Sequence, residues 1–377
     1  MSSILFVSSF YTGHGHKSIT AALGEQLSEL DPGVTVDEID GFMLGGPLSV
    51  WLSRMYDKVA TCAPAFWKVY YGLGNIFPSV SRIFMARSIK KGFCRAVELK
   101  RPDLIVSVHP SFVGSVEDIL DAKGWKIPVI SYIADLDNVS KIWADKRSHY
   151  TICPTENARL TMLKYGVPEC KIKVFGFPVR KRFNQIEPCR ATSYYERMRQ
   201  KNRLQFLIMN GSQGRRQAVE MASILLEHYD CRVVILAGNN DIFRAETEKS
   251  LEAYKDRVEV CGFIENVEKY MLESDILLLR ASPNVMMEAV NLCRPFIVTG
   301  SLTGQEEKNP DFAVANKLGV VCTDTQKLTD TVNELLADDG RKVDEIAASQ
   351  LAFRQPEASR RTAELFLSAL KGQVEGI

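Results

Sequence analysis

Two successive sets of six short strand-like runs, most of them apolar and each separated from the next mostly by a polar, helix-length stretch, constrain this chain more than any other feature. In the first half the runs fall at 4–10, 35–39, 104–109, 129–134, 149–153 and 172–175. In the second they fall at 205–209, 232–237, 258–261, 275–279, 295–299 and 319–322. Near-continuous apolar segments of this length read as strands buried on both faces. Strands alternating with helices build parallel, doubly wound sheets, so the fold class is α/β with two Rossmann-like domains. The polar span 183–203, which contains Glu187-Pro188 and a short helical run, reads as their join. The expected division is 1–183, a linker at 184–203, 204–355, and a C-terminal segment 356–377 whose amphipathic helix crosses back onto the first domain.

With 377 residues, 46% of them hydrophobic and 25% charged, the chain has room for two cores and is too polar for an integral membrane protein. No run reaches the roughly eighteen apolar residues of a membrane span, and ILFVSSF begins without a basic leader, which gives a cytoplasmic expectation. Nine cysteines lie scattered without a C-x-x-C pair, a pattern of buried thiols rather than disulfides or zinc ligands. The net charge of +1 hides a basic excess in 1–182 and an acidic excess in 183–377.

The chemistry concentrates in two places. After the apolar run 275–279 come Arg280, Ser282 and Asn284, then a helix carrying Glu288; after the next strand come Gln305, Glu306 and Asn309. A diphosphate at that strand edge would meet helix-terminal N–H groups and the Arg280 guanidinium. Glu288 can accept ribose hydroxyl protons, and Gln305 with Glu306 offers the mixed donors and acceptors that sugar hydroxyls need. The second place is the loop Tyr11-Thr12-Gly13-His14-Gly15-His16-Lys17-Ser18 after the first strand. Its glycines allow a tight turn, but Ser18 stands at the third position of a dinucleotide fingerprint, which argues against a dehydrogenase. A histidine at a helix N-terminus resists protonation and suits removal of a hydroxyl proton, a role assigned to His16, while loop hydrogen bonding is the plainer role for His14. No third ligand stands at zinc spacing from the pair. Asp135-Leu136-Asp137 resembles a metal-binding D-x-D, with a helix cap or acceptor contact the simpler reading. His109-Pro110 ends a strand at the same edge, where it can line an acceptor channel or shape a loop.

Taken in order, TGHGHKS, HP at 109–110, ADL at 134–136, GVPECKIKVFGFPVRKRF, NGSQG, LAGNN, GFIENV, RASPNVMMEAV and GQEEKNP resemble the monogalactosyldiacylglycerol synthases and processive diacylglycerol glucosyltransferases, over nearly the whole chain. That family is related to the lipid II-forming N-acetylglucosaminyltransferase and has the GT-B fold. The resemblance implies an inverting transferase with a UDP-sugar donor, no metal or other cofactor, and catalysis in an interdomain cleft. By position, His16 matches the family's proposed base and Asp135 its acceptor-handling aspartate. Gly211, Ser212, Gln213 and Gly214 fall at its diphosphate loop, Phe263 and Ile264 where main chain reads uracil, Glu288 at the ribose, and Gln305 and Glu306 at the donor sugar, with Asn309 closing that loop. Two departures stand out: Ser282, Pro283, Asn284 and Val285 replace a glycine-rich segment with Arg280 in place of a lysine, and His14 replaces a glycine.

Segment 66–101 combines Trp67, Tyr70 and Tyr71 with Arg87, Lys90 and Lys91. It reads either as an interfacial anchor, with aromatics at headgroup depth and cations on anionic lipid, or as an ordinary helical pair. The resemblance favours the anchor, and with it a peripheral location on the inner face of the cell membrane. Nucleic acid is excluded by the absence of a binding motif and by a near-neutral pI. The resulting expectation is a hexosyltransferase making a β-glycolipid from a diacylglycerol-like acceptor. The alternatives are a transferase or epimerase acting on a soluble or polyprenyl-linked sugar, and a catalytically silent membrane-docking binder.

Overall fold

The apolar runs form two parallel sheets in the computed structural model, which describes residues 2–10, 15–63, 72, 74–184, 193–210 and 214–372. In the first sheet, β1 (Ser3–Ser8), β2 (Thr35–Asp40), β3 (Leu104–Ser107), β4 (Val129–Tyr132), β5 (Tyr150–Cys153) and β6 (Ile172–Val174) stand in the order β2-β1-β3-β4-β5-β6. In the second, β7 (Leu204–Met209), β8 (Cys231–Leu236), β9 (Val258–Cys261), β10 (Ile276–Arg280), β11 (Phe296–Gly300) and β12 (Val320–Val321) stand in the order β12-β11-β10-β7-β8-β9. Strands β1, β3, β4 and β5 are buried along their whole length, which is why their sequences are apolar without alternation. In each sheet the winding reverses once, between β1 and β3 and between β7 and β10. Loops leaving such a pair part in opposite directions and open a crevice at the carboxyl edge.

The helices of the first half are α1 (Gly15–Leu30), α2 (Pro47–Cys62), α3 (Pro78–Lys100), α4 (Pro110–Lys123) and α5 (Glu156–Lys164). Those that follow are α6 (Lys181–Asn184), α7 (Tyr194–Arg199), α8 (Arg215–His228), α9 (Asp241–Ser250), α10 (Val267–Glu273), α11 (Pro283–Asn291), α12 (Asn309–Ala315), α13 (Leu328–Phe353) and α14 (Ala358–Leu370). Proline opens α2, α3, α4 and α11, where its missing N–H costs nothing. Residues 1–181, 302–307 and 355–377 form one unit; 182–301 and 308–354 form the other.

Within the first unit, α14 packs on α1, and Phe366 meets Phe6 edge to face at 6.1 Å. Ser359 Oγ donates to Val179 O at 3.1 Å. Gly176 sits at φ 99°, and a Cβ there would lie 2.6 Å from Gln355 Cβ, so both backbone angle and close approach require glycine. Helix α3 is divided lengthwise. Its second half buries Ala86, Ile89, Phe93, Cys94 and Val97 against Phe112, Val116, Ile119 and Leu120 of α4. Its start exposes Phe77 (57%), Val80 (65%) and Phe84 (59%), and Arg87, Lys90 and Lys91 follow, also exposed. The packed-helix reading therefore holds for one half and fails for the other; Trp67, Tyr70 and Tyr71 lie outside the described residues. Cys170 is exposed, and Cys94, Cys153, Cys231, Cys261, Cys293 and Cys322 are buried thiols outside any disulfide.

Two boundaries differ from the sequence expectation. Residues 193–203 are part of the second unit's body rather than a linker: Tyr194 and Met198 are buried among Phe206, Ile276 and Val343. The Tyr194 hydroxyl donates to Asp275 O at 2.8 Å, and Arg294 covers the ring at 5.5 Å. The surrounding charges hid two apolar anchors one helical turn apart. Segment 302–307, expected in the second domain, belongs to the first unit. Tyr194→Ala should destabilise the protein by roughly 3–5 kcal/mol in denaturant unfolding, the range for a deleted buried aromatic. A true linker position would change by less than about 0.5 kcal/mol.

Candidate active site

In the first unit, chemistry-bearing residues gather where β1, β3 and β4 end. His16 stands in the first turn of α1, and its Nδ1 lies 2.6 Å from the carbonyl of Val108, just beyond β3. A carbonyl only accepts, so Nδ1 carries the proton and Nε2 keeps its lone pair. Burial lowers the His16 pKa to about 4, against the opposing pull of the Val108 hydrogen bond, so the ring is neutral at pH 7. His109 caps α4 by accepting the Ser111 N–H through Nδ1 at 3.2 Å. Its ring lies 4.7 Å from that of His16, with Phe42 at 5.2 Å and Phe112 at 5.1 Å. Burial, and then the neighbouring His16, hold the His109 pKa well below the ordinary value.

Asp40, at the end of β2, braces this corner. Its carboxylate accepts Phe10 N–H and Phe42 N–H, both at 2.7 Å, and Met43 N–H at 3.2 Å. Sequence reasoning passed over it, although an aspartate ending a strand, with glycine next, is a signal for such a brace. His14 lies outside the described residues.

Asp135 follows β4 and accepts the Trp143 indole N–H at 2.7 Å. Burial raises its pKa to about 7; the Trp143 bond opposes this and the nearby Glu306 carboxylate adds to it. Gln305 and Glu306 thus stand beside the first sheet's edge, not in the second unit where their sequence position had put them. The physical cause is a turn pinned at both ends: Asn138 Nδ2 donates to Gly304 O at 2.6 Å, and Leu302 N–H donates to Glu306 Oε2 at 2.9 Å. Among the described residues no group of three or more His, Cys, Asp or Glu is placed to hold a metal ion.

In the second unit the corresponding edge carries two helix starts. Helices α8 and α11 begin beside the reversal between β7 and β10, without an acidic residue in the first turn and without a side-chain cap. Their N–H groups and dipoles favour negative charge, and Arg215 and Arg216 open α8. Gly214 is required, since a Cβ would lie 2.6 Å from Asn210 Cβ. Gly211, Ser212 and Gln213 lie outside the described residues. Beneath this edge Thr299 Oγ1 donates to Asn210 Oδ1 at 2.7 Å, and Gln217 Nε2 donates to Thr299 O at 3.0 Å. This lock joins the ends of β7 and β11 to α8, and its polar residues ending apolar strands were the unread signal.

Arg280 is half-buried at a bulge where the β10–β11 register shifts, and Ser282 and Asn284 are half-buried at the start of α11. Glu288 is buried within α11. Asn309, expected to close the donor-sugar loop, is fully buried and donates to Ala281 O at 2.8 Å, tying α12 to the loop after β10. Phe263 is exposed and Ile264 half-buried in the loop after β9. Arg182 holds that loop through Glu265 O and Glu268.

Residues 16–179 match the family model for monogalactosyldiacylglycerol synthase, and residues 208–338 match that for glycosyl transferases group 1. The processive diacylglycerol beta-glucosyltransferase of Bacillus cytotoxicus is 23% identical over 99% of this chain and 95% of its own. Monogalactosyldiacylglycerol synthase 1 of Arabidopsis thaliana is 28% identical over 81% of this chain, and the match spans 59% of that protein. Among solved structures, Acinetobacter baumannii MurG aligns with a TM-score of 0.64 at 13% identity, over 98% of this chain and 100% of that one. The S. aureus MnaA–UDP co-structure gives 0.65 at 14%, over 99% and 98%. The fold is GT-B-like, and the chain is a glycosyltransferase. Its similarity runs to the monogalactosyldiacylglycerol synthases over residues 16–179 and to the processive diacylglycerol glucosyltransferases over nearly the whole chain.

A carboxyl raised in the folded state stays protonated there while its unfolded counterpart ionises, so the folded form loses stability as pH rises from near 4 through about 7. Asp135→Asn keeps an acceptor for Trp143 and removes the titration. Urea unfolding should show the variant gaining on the wild type between pH 5 and pH 8; a constant difference would mean Asp135 is ionised throughout.

Proposed function

We propose that the chain transfers a hexose from a UDP-sugar to the hydroxyl of a diacylglycerol-like lipid at an anionic membrane surface, with inversion to a β-glycoside and without a metal. One observation carries the reading: the His16 Nδ1–H is committed to Val108 O, which leaves Nε2 unprotonated on a half-buried ring in the unit matched by the synthase model. In the step we propose, the acceptor hydroxyl gives its proton to His16 Nε2 as its oxygen bonds to the anomeric carbon. The bond from that carbon to the diphosphate breaks, and UDP leaves with the electron pair. Negative charge on the leaving group is met by the helix starts at α8 and α11, with Arg215, Arg216 and Arg280 as cations. The low pKa of His16 keeps the base available across the physiological range, and activity should fall only as the medium approaches pH 4.

The exposed stripe Phe77, Val80 and Phe84, followed by Arg87, Lys90 and Lys91, supports lipid docking: apolar side chains enter the interface and cations meet anionic headgroups. No helix among the described residues is long and apolar enough to cross a membrane. Asn138 and the Asp135 carboxyl, beside Gln305 and Glu306, form a polar wall suited to sugar hydroxyls.

Release of UDP that depends on added diacylglycerol, followed with a panel of UDP-hexoses, tests the activity; turnover without lipid would favour a soluble substrate instead. His16→Ala should lower turnover about 10²-fold or more while UDP affinity is kept, the range for a positioned base. An unchanged rate would remove His16 from the role. The double change Val80→Asp, Phe84→Asp should abolish sedimentation with anionic vesicles and leave UDP binding intact. Persistent sedimentation would move the docking surface elsewhere.

A further inference from the structure

The two imidazoles where β1 and β3 diverge present opposite hydrogen-bonding characters. His16 uses its Nδ1–H on Val108 O and is left with an acceptor at Nε2. His109 uses its Nδ1 lone pair on the Ser111 N–H and, being neutral, is left with a donor at Nε2. Neither assignment can be exchanged, because a backbone carbonyl cannot donate and a backbone amide cannot accept. The ring centroids lie 4.7 Å apart, so a ring left with an acceptor neighbours a ring left with a donor. Phe42 and Phe112 pack on His109, which is 6% exposed, so a hydrogen bond donated from its ring is worth more than one in water.

A neighbouring acceptor and donor match two oxygens on adjacent carbons, one a hydroxyl about to lose its proton and the other able to accept. We propose that His109 is a specificity-determining residue whose Nε2–H binds the oxygen on the carbon next to the attacking hydroxyl, selecting vicinally oxygenated acceptors such as 1,2-diacylglycerols over plain alcohols. The inference rests on the reading of His16 as the base.

Two substitutions separate this role from helix capping. His109→Asn keeps an acceptor for Ser111 N–H and loses the distal donor; His109→Gln keeps an amide donor near the place of Nε2 and loses the cap. The full chain, with 1,2-dioleoylglycerol or oleyl alcohol in the same detergent micelles, gives the readout. His109→Asn should melt like the wild type and lose about tenfold in kcat/KM for dioleoylglycerol, one hydrogen bond's contribution, with little change for the alcohol. His109→Gln should melt lower and keep the diacylglycerol preference. An undiminished preference in His109→Asn, or equal losses on both acceptors, overturns the inference. If His16→Ala is inactive in the same assay, such a result removes this inference alone; if His16→Ala retains the wild-type rate, the base assignment and this inference fall together.

Discussion

The hydrogen bond from His16 Nδ1–H to Val108 O is the interaction on which the proposed chemistry depends. It spans 92 residues of sequence and is possible because the sheet order places β1 beside β3. A strand order that separated them would leave the imidazole free to turn and either nitrogen free to carry the proton. With the bond made, one tautomer is fixed, and a backbone carbonyl holds it without needing a charged partner. That differs from orientation by a carboxylate, which would raise the ring's pKa, whereas here burial lowers it. Asp40 extends the constraint, since its three backbone hydrogen bonds hold the chain after β1 and the residues around Phe42 that pack on His109.

The two units answer different chemical demands with one architectural device, the crevice beside a reversal of strand order. The first places neutral, buried titratable groups there: two imidazoles with lowered pKa values and a carboxyl raised to about 7. Such groups hold and exchange protons. The second places two uncapped helix starts there, with arginines at one of them, over a neutral lock of Asn210, Gln217 and Thr299. Such a site receives negative charge without protonation. In the proposed reaction, proton transfer falls to the first unit and stabilisation of the departing diphosphate to the second.

The inner strands were legible in the sequence because burial on both faces forces continuous apolar runs, and every strand lies on or near its predicted run. Strand ends were less legible: the first run includes Phe10, which is exposed, while the strand stops at Ser8. His16 and Glu288 could be singled out because chain position relative to a strand tells which edge a residue occupies. Contacts made across the fold could not. His109 beside His16, Trp143 on Asp135 and Glu306 beside the first sheet all join residues whose proximity depends on tertiary closure. Tyr194 and Met198 were masked by charged neighbours, because two apolar residues in a short helix carry little periodic signal. Exposed and buried apolar residues share helix α3, a division that a reading of segment 66–101 as a single object could not make.

The tautomer of His16 is the most direct point of contact between this account and experiment. Long-range proton–nitrogen correlation spectra of the full chain carrying ¹⁵N-labelled histidine, with His16 assigned through a His16→Gln sample, report which ring nitrogen bears the proton. At neutral pH the account requires an uncharged ring protonated at Nδ1 alone. A ring protonated at Nε2, or at both nitrogens, would contradict it and leave the acceptor hydroxyl without a base at this position.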